Sequence, residues 1–131
     1  MIGVDTNILV RWLIDEQGAS AQVALARATI LNAAEPIHVN PVVLAETVWV
    51  LERAFAYPRD SIATLIRQLL KTPGLLLAQR PQVETALAAF LAGGAGYADH
   101  FIAALNHAAG CTTTLTFDKS AARSPDFTLL G

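Results

Sequence analysis

Short apolar runs alternate along this chain with longer segments of helical pattern, and this alternation narrows the folds that the chain can adopt. The runs predicted as strands are residues 1–4, 37–39, 75–77, 111–117 and 127–130. They are continuous apolar or β-branched stretches, which is typical of parallel strands covered on both faces. Helical segments separate them, so the order of elements indicates an α/β fold. We expect a three-layer α/β/α domain with a central, mostly parallel sheet of four to five strands.

Capping residues mark where several of the helices begin. Asn40 followed by Pro41 joins a preferred cap to a residue suited to the first helical position, which predicts a helix from residue 41. Asp5 or Thr6 is expected to cap the helix after the first strand, and Ser20 the helix that follows. These local signals fix the helix starts but say nothing about which helices pack together.

Length and composition limit the class of protein. The 131 residues predict a single domain, residues 1–131. Hydrophobic residues make up 53% of the chain and charged residues 15%, so we expect a sizeable core. The surplus indicates either an exposed apolar patch that marks a partner surface or an Ala/Leu-rich helical protein with a fully buried sheet. The net charge of −2 lacks the broad basic footprint of a sequence-scanning DNA-binding protein.

Apolar run lengths, the N-terminal segment and the cysteine count indicate the cellular compartment. No apolar run approaches the roughly 18 residues of a membrane-spanning helix, and no basic segment precedes the first apolar stretch as in a signal peptide. The lone Cys111 excludes an internal disulfide and fits a reducing compartment. We therefore expect a cytoplasmic protein with no membrane partner.

Four carboxylates interrupt or end apolar runs, where a charged side chain is costly: Asp5, Glu46, Asp99 and Asp118. A charge in such a setting must pair, protonate or bind a cation, and no basic residue lies inside these runs. Asp5 and Asp118 follow predicted strands, and sites in open α/β sheets form beyond the carboxyl ends of strands. The four acids together therefore predict a pocket for a hard divalent cation.

The two helical acids have different surroundings. The residues three and four positions from Glu46 are all apolar: Val42, Val43, Trp49 and Val50. We therefore expect Glu46 to face inward. Asp99 falls in a first helical turn, where the helix dipole favours a carboxylate. Simpler roles stay open: an inward structural acid for Glu46, a helix-start acid for Asp99, and turn or cap residues for Asp5 and Asp118.

Clustered carboxylates repel one another, and Mg²⁺ or Mn²⁺ removes that cost. Such ions turn water into a nucleophile and stabilise the leaving oxygen of a phosphodiester. Arg11, Lys119 and Arg123 lie near the acids in sequence and could contact phosphates, or an acidic group of an inhibitor, or only solvent. His100, next to Asp99, either touches substrate or is simply exposed.

Four segments carry a resemblance to a known family: Asp-Thr-Asn at 5–7, Leu-Ala-Glu-Thr-Val-Trp-Val-Leu-Glu-Arg at 44–53, Tyr-Ala-Asp at 97–99 and Leu-Thr-Phe-Asp-Lys at 115–119. The chain resembles the PIN-domain ribonucleases, and more narrowly the VapC-type toxins of bacterial type II toxin–antitoxin systems. The resemblance covers nearly the whole chain, in order and with similar spacing.

The resemblance implies a PIN-like domain that acts as a Mg²⁺- or Mn²⁺-dependent endoribonuclease. The acids Asp5, Glu46, Asp99 and Asp118 would form its catalytic metal pocket. Thr6 would support the site by hydroxyl hydrogen bonding, and Asn7 would orient Asp5 or the substrate. Arg11 and His100 are added as candidates for substrate contact or site support because of their places near Asp5 and beside Asp99, not because of the resemblance. The implied partners are an RNA substrate, a small antitoxin whose tail lies across the site, and a second copy in a homodimer.

Two positions depart from the family pattern. Many relatives carry an acid three residues before the Asp99 position, where this chain has Gly96. The residue after that aspartate is often small, and here it is His100. Gly96 removes one acid that would complete the shell of metal ligands, and His100 would alter the access of substrate to the site.

Two other functions remain as alternatives. One is a phosphatase or phosphotransferase in which Asp5, at a strand end, is the nucleophile; such enzymes usually need a second Asp two positions later, where this chain has Asn7. The other is a non-catalytic protein-binding module, for which an apolar surface would be the whole function.

Overall fold

The structure is a computed structural model that describes residues 1–14 and 21–131. These residues form two compact units, Met1–Ala78 and Gln79–Gly131. The cap predicted at Ser20 lies outside the described residues. None of the described helices combines the length and the apolar composition that crossing a bilayer requires.

The first unit is built on a parallel three-stranded sheet in the order β1-β2-β3, flanked by helices. Its elements are β1 (Ile2–Gly3), α1 (Thr6–Leu13), α2 (Ala21–Leu31), β2 (Ile37–Val39), α3 (Pro41–Arg53), α4 (Arg59–Lys71) and β3 (Leu75–Leu77). The first and last residues of β2 and of β3 are buried, whereas Leu76, in the middle of β3, is 49% exposed. One face of this sheet therefore packs against the core.

Local capping explains where α1 and α3 begin. A carboxylate oxygen of Asp5 accepts a hydrogen bond from the Thr6 amide at 2.7 Å. The Asn40 side chain accepts one from the Val43 amide at 2.9 Å, and Pro41 takes the first helical position. Both predicted helix starts are confirmed, because each cap satisfies an amide that the helix itself leaves without a partner.

The second unit contains a helical pair and a small parallel sheet. Its elements are α5 (Arg80–Leu91), α6 (Tyr97–Ala108), β4 (Thr114–Thr116), a short 3-10 turn (Ala121–Arg123) and β5 (Phe127–Leu129). Tyr97 lies fully buried between Phe90, which meets it edge-on with ring centroids 5.9 Å apart, and Phe101, which stacks on it at 5.7 Å. Its hydroxyl donates to the Val83 carbonyl at 3.1 Å, and burial raises the pKa of the Tyr97 phenol.

The α/β class and the parallel pairing are confirmed, but the expected single sheet of four to five strands is not found among the described residues. Hydrogen bonds join three strands in one sheet and two in another. The strands are also less covered than predicted: Leu115 in β4 is 61% exposed and Leu129 in β5 is 39% exposed. An apolar run marks a strand, but in strands of two or three residues it does not specify the pairing partner.

Candidate functional site

Asp5 lies just beyond the carboxyl end of β1, where α1 begins. One of its carboxylate oxygens caps the helix, and the side chain is exposed to solvent. A carboxylate at a helix N-terminus is favoured by the helix dipole and by the amides that lack helical partners. The capping role for Asp5 is therefore confirmed, and it leaves the second oxygen without a hydrogen bond from the described residues.

Asp5 opens onto a pocket of about 480 Å³ that Thr6, Asn7 and Arg11 also line. The Arg11 guanidinium donates from Nη1 to the Asn7 carbonyl at 3.1 Å, which holds it on the α1 surface. The Thr6 hydroxyl is buried and has no hydrogen-bond partner among residues 1–14 and 21–131, so the hydrogen bonding expected of it is not seen there. The first unit thus brings Asp5, Thr6, Asn7 and Arg11 together.

Glu46 does not face inward as predicted, because its side chain is exposed on α3. Its neighbours Val42 and Trp49 are exposed as well, at 65% and 56%. The helix instead buries the opposite stripe: Val43, Leu44, Thr47, Val48 and Leu51. Apolar residues surround Glu46 on every side of the helix, so the sequence alone did not reveal which face is covered.

Asp99 is half-buried in the first turn of α6, which begins after Gly96. This position is the predicted helix-start acid. A Cβ placed on Gly96 would lie 3.9 Å from Oδ2 of Asp99, an ordinary van der Waals distance, and the backbone there does not require glycine. The chain can therefore accept a side chain at position 96 directly beside the Asp99 carboxylate.

Asp118 follows β4 in an exposed turn. Its Oδ1 accepts a hydrogen bond from the Ser120 amide at 2.8 Å, while its own amide donates to the Thr116 hydroxyl at 2.9 Å. The turn role considered for Asp118 is therefore confirmed. Its placement after a strand agrees with the expectation for an acid at a strand end.

His100 is neither exposed nor loosely held: its side chain is 4% exposed. Its Nε2 lies 3.3 Å from the Gly93 carbonyl, which can only accept, so Nε2 carries the proton. Nδ1 is buried and has no partner within the described part of the chain. The alternative of simple exposure is wrong, because α6 turns this side chain toward its own unit. Substrate contact by His100 stays a prediction.

The premise that the acids occupy costly apolar surroundings also needs correction. Asp5, Glu46 and Asp118 are exposed, and Asp99 is half-buried. Solvent hydrates these carboxylates, so none of them needs a counter-ion to persist in the folded state. No group of three or more His, Cys, Asp or Glu side chains that could hold a metal ion occurs among the residues that the structure describes.

The donors at the end of β1 nevertheless suit a hard cation. The Asp5 carboxylate, the Asn7 amide and the buried, unpartnered Thr6 hydroxyl all offer oxygen, the ligand atom that Mg²⁺ and Mn²⁺ prefer. Asp99 and Asp118 offer the same chemistry in the second unit. The residue types present therefore fit a divalent ion.

One residue at this pocket escaped the sequence reasoning. Gln22, in the first turn of α2, accepts a hydrogen bond at 2.9 Å from Nε of Arg11. A polar residue near a helix start carries no signal of its own. Only the packing of α1 on α2 makes it a partner of Arg11.

Comparison with known proteins places a family model over nearly all of the chain. The PIN domain model matches residues 2–126. No curated protein matches the chain. The matched range includes all eight residues that the sequence singled out for the site: Asp5, Thr6, Asn7, Arg11, Glu46, Asp99, His100 and Asp118.

Proposed function

The chain belongs to the PIN domain family, and from this premise we propose that it is a metal-dependent endoribonuclease, the cytoplasmic toxin of a toxin–antitoxin pair. PIN domains are generally nucleases that use divalent metal ions, which supports a nuclease role at the coarse level. The cleavage of RNA, the toxin role and the compartment are the finer parts of the proposal. The resemblance of the four motif segments to VapC-type toxins supports them.

The observation that carries the proposal is the end of β1. The family match covers it, and there Asp5 lines one pocket with the cationic side chain of Arg11. A nuclease has to bring a polyanion to carboxylates that would otherwise repel it. A guanidinium beside the acid supplies that attraction, so this pocket combines an acid for an ion with a cation for a phosphate.

In the proposed site, Asp5, Glu46, Asp99 and Asp118 hold Mg²⁺ or Mn²⁺. When bound, such an ion lowers the pKa of a water molecule and offsets charge on a phosphodiester. The bond from the Thr6 amide fixes one oxygen of the Asp5 carboxylate, and Asp5 lines the pocket, which supports this role. Asn7 carries its amide at the rim of the same pocket, where it can orient substrate.

We test the proposal by cleavage of total RNA with the purified chain, with Mn²⁺ and with EDTA in its place, followed by mapping of the new ends. We expect cleavage only with metal, and its loss in Asp5→Asn and in Asp99→Asn. The matched control is Asp60→Asn, which changes an exposed first-turn aspartate of α4 that does not line the Asp5 pocket. Cleavage that persists in both site variants and in EDTA contradicts the proposal.

A partner surface is the second part of the proposal. Val42 and Trp49 are exposed on either side of Glu46 along α3, and the Arg53 guanidinium lies 5.7 Å from the Trp49 ring centroid. Exposed apolar residues next to a proposed catalytic acid are typical of a surface that another chain covers. We propose that a second copy forms the homodimer here and that a small antitoxin reaches the site. Light scattering on the wild type and on Trp49→Glu tests the dimer, since a monomeric wild type contradicts it.

A further inference from the structure

Arg11 is held from two sides on the surface of the first unit. Its Nη1 donates to the Asn7 carbonyl one turn back on α1 at 3.1 Å, and its Nε donates to Oε1 of Gln22 on α2 at 2.9 Å. A long side chain loses conformational freedom when it is fixed in this way, which makes an unassisted Arg a costly ligand. Because the two hydrogen bonds already order the Arg11 side chain in the free protein, ligand binding does not have to order it.

Arg11 lines two neighbouring pockets, of about 480 and about 450 Å³. The residues that line both are Asp5, Asn7, Arg11 and Gln22. An arginine has five N–H donors, and its bonds to Asn7 and Gln22 use two of them. Within the described ranges 1–14 and 21–131 no carboxylate forms an ion pair with Arg11. Because Arg11 lines both pockets, its remaining donors can reach a molecule that enters them.

We propose that Gln22 is a positioning residue, which holds the Arg11 guanidinium so that it binds a backbone phosphate of the RNA substrate beside Asp5. This inference rests on the proposed function, from which RNA is taken as the ligand. A neutral amide suits this task better than a carboxylate, because it fixes the guanidinium through one acceptor and leaves the positive charge uncompensated. The planar fork of Arg then matches two phosphate oxygens.

The test is a double-mutant cycle on RNA binding, read by fluorescence anisotropy of a labelled single-stranded RNA in EDTA, where no cleavage occurs. Arg11→Ala should weaken binding and reduce the slope of log affinity against log salt by about 0.7, the value of one phosphate contact on a single strand. Gln22→Ala should weaken binding by about two- to tenfold, since a mobile Arg11 has to be ordered on binding. In the Arg11→Ala background, Gln22→Ala should have no further effect.

Two further variants distinguish positioning from a structural role. Gln22→Glu keeps an acceptor for Nε but neutralises the guanidinium, so it should weaken binding at least as much as Gln22→Ala. Gln68→Ala is the matched control, because Gln68 is an exposed glutamine on α4 of the same unit that lines neither of these two pockets. It should bind RNA as the wild type does.

The outcomes separate this inference from the proposed function. Equal losses from Gln22→Ala with and without Arg11, no loss at all, or no RNA binding by the wild type would each overturn the inference. Metal-dependent cleavage is measured in parallel. If the chain cleaves RNA but Gln22→Ala has the same effect with and without Arg11, only the role of Gln22 is refuted. If the effect of Gln22→Ala depends on Arg11 but the chain never cleaves RNA, the role of Gln22 is supported and the nuclease activity is refuted.

Discussion

Asp5 serves two purposes in the proposed enzyme, and a pair of substitutions separates them. Its carboxylate accepts the first helical amide of α1 at 2.7 Å, and the same group lines the pocket in which the metal is proposed. Asn keeps the capping oxygen but removes the charge, whereas Ala removes both. Asn and Asp are near-equal caps, while Ala in their place costs about 1 kcal/mol. Loss of the charge at the helix start adds about 0.3 to 1 kcal/mol in either variant.

We therefore expect Asp5→Ala to lower the melting temperature by roughly 4 °C more than Asp5→Asn does. Both variants should lose more than about a hundredfold in cleavage rate, because several kcal/mol of charge stabilisation disappear with the carboxylate. Calorimetry and RNA cleavage on the same preparations check the two parts. Equal melting temperatures would show that the cap contributes nothing, and an active Asp5→Asn would refute the catalytic assignment of this residue.

Three further substitutions test the second unit and the core. Gly96→Asp, whose Cβ would lie 3.9 Å from Oδ2 of Asp99, should tighten Mn²⁺ binding by calorimetry, and unchanged affinity would mean that position 96 does not face the ion. Thr47→Val should stabilise the chain by about 1 kcal/mol in urea unfolding, because the buried Thr47 hydroxyl has no partner among the described residues; destabilisation would reveal one. Tyr97→Phe should cost about 1 kcal/mol at neutral pH through its lost bond to Val83. Since burial raises the pKa of the Tyr97 phenol, stability of the wild type falls by about 1.36 kcal/mol per pH unit above about pH 10, and the variant should become the more stable near pH 11.

The sequence predicted best what neighbouring residues decide among themselves. Asn40 and Pro41 fix the start of α3, and Asp5 fixes that of α1, through bonds to amides within three positions. Such caps depend on residues within one helical turn, so the sequence alone can predict them. The order of strands and helices and their parallel pairing followed from equally local patterns of apolar residues.

Prediction failed where the answer depends on distant contacts. His100 follows Asp99 near the start of a predicted helix, which suggested exposure or substrate contact, yet the packing of α5 on α6 buries it near the Gly93 carbonyl. Glu46 has apolar neighbours on all sides, so its orientation depends on which stripe of α3 meets the core. Gln22 became a partner of Arg11 only through the packing of two helices. In each case the sequence presented the residue type, and tertiary structure decided its surroundings.

The exposure of the acids changes what removal of metal should do. A carboxylate buried without a counter-ion would destabilise the fold, and a chelator would then unfold the protein. Here Asp5, Glu46 and Asp118 are hydrated, and Asp5 and Asp118 already accept backbone hydrogen bonds. We therefore expect the folded state not to depend on an ion.

We expect EDTA, added to the chain with Mn²⁺, to abolish cleavage and to leave the chain folded. Added Mn²⁺ should raise the free energy of unfolding only by mass action, by about 2.7 kcal/mol at a hundred times the dissociation constant. The same addition to Asp5→Asn should have a smaller effect, because that variant lacks one of the proposed ligands. Unfolding by the chelator would instead mean that the carboxylates are crowded together and need the cation to fold.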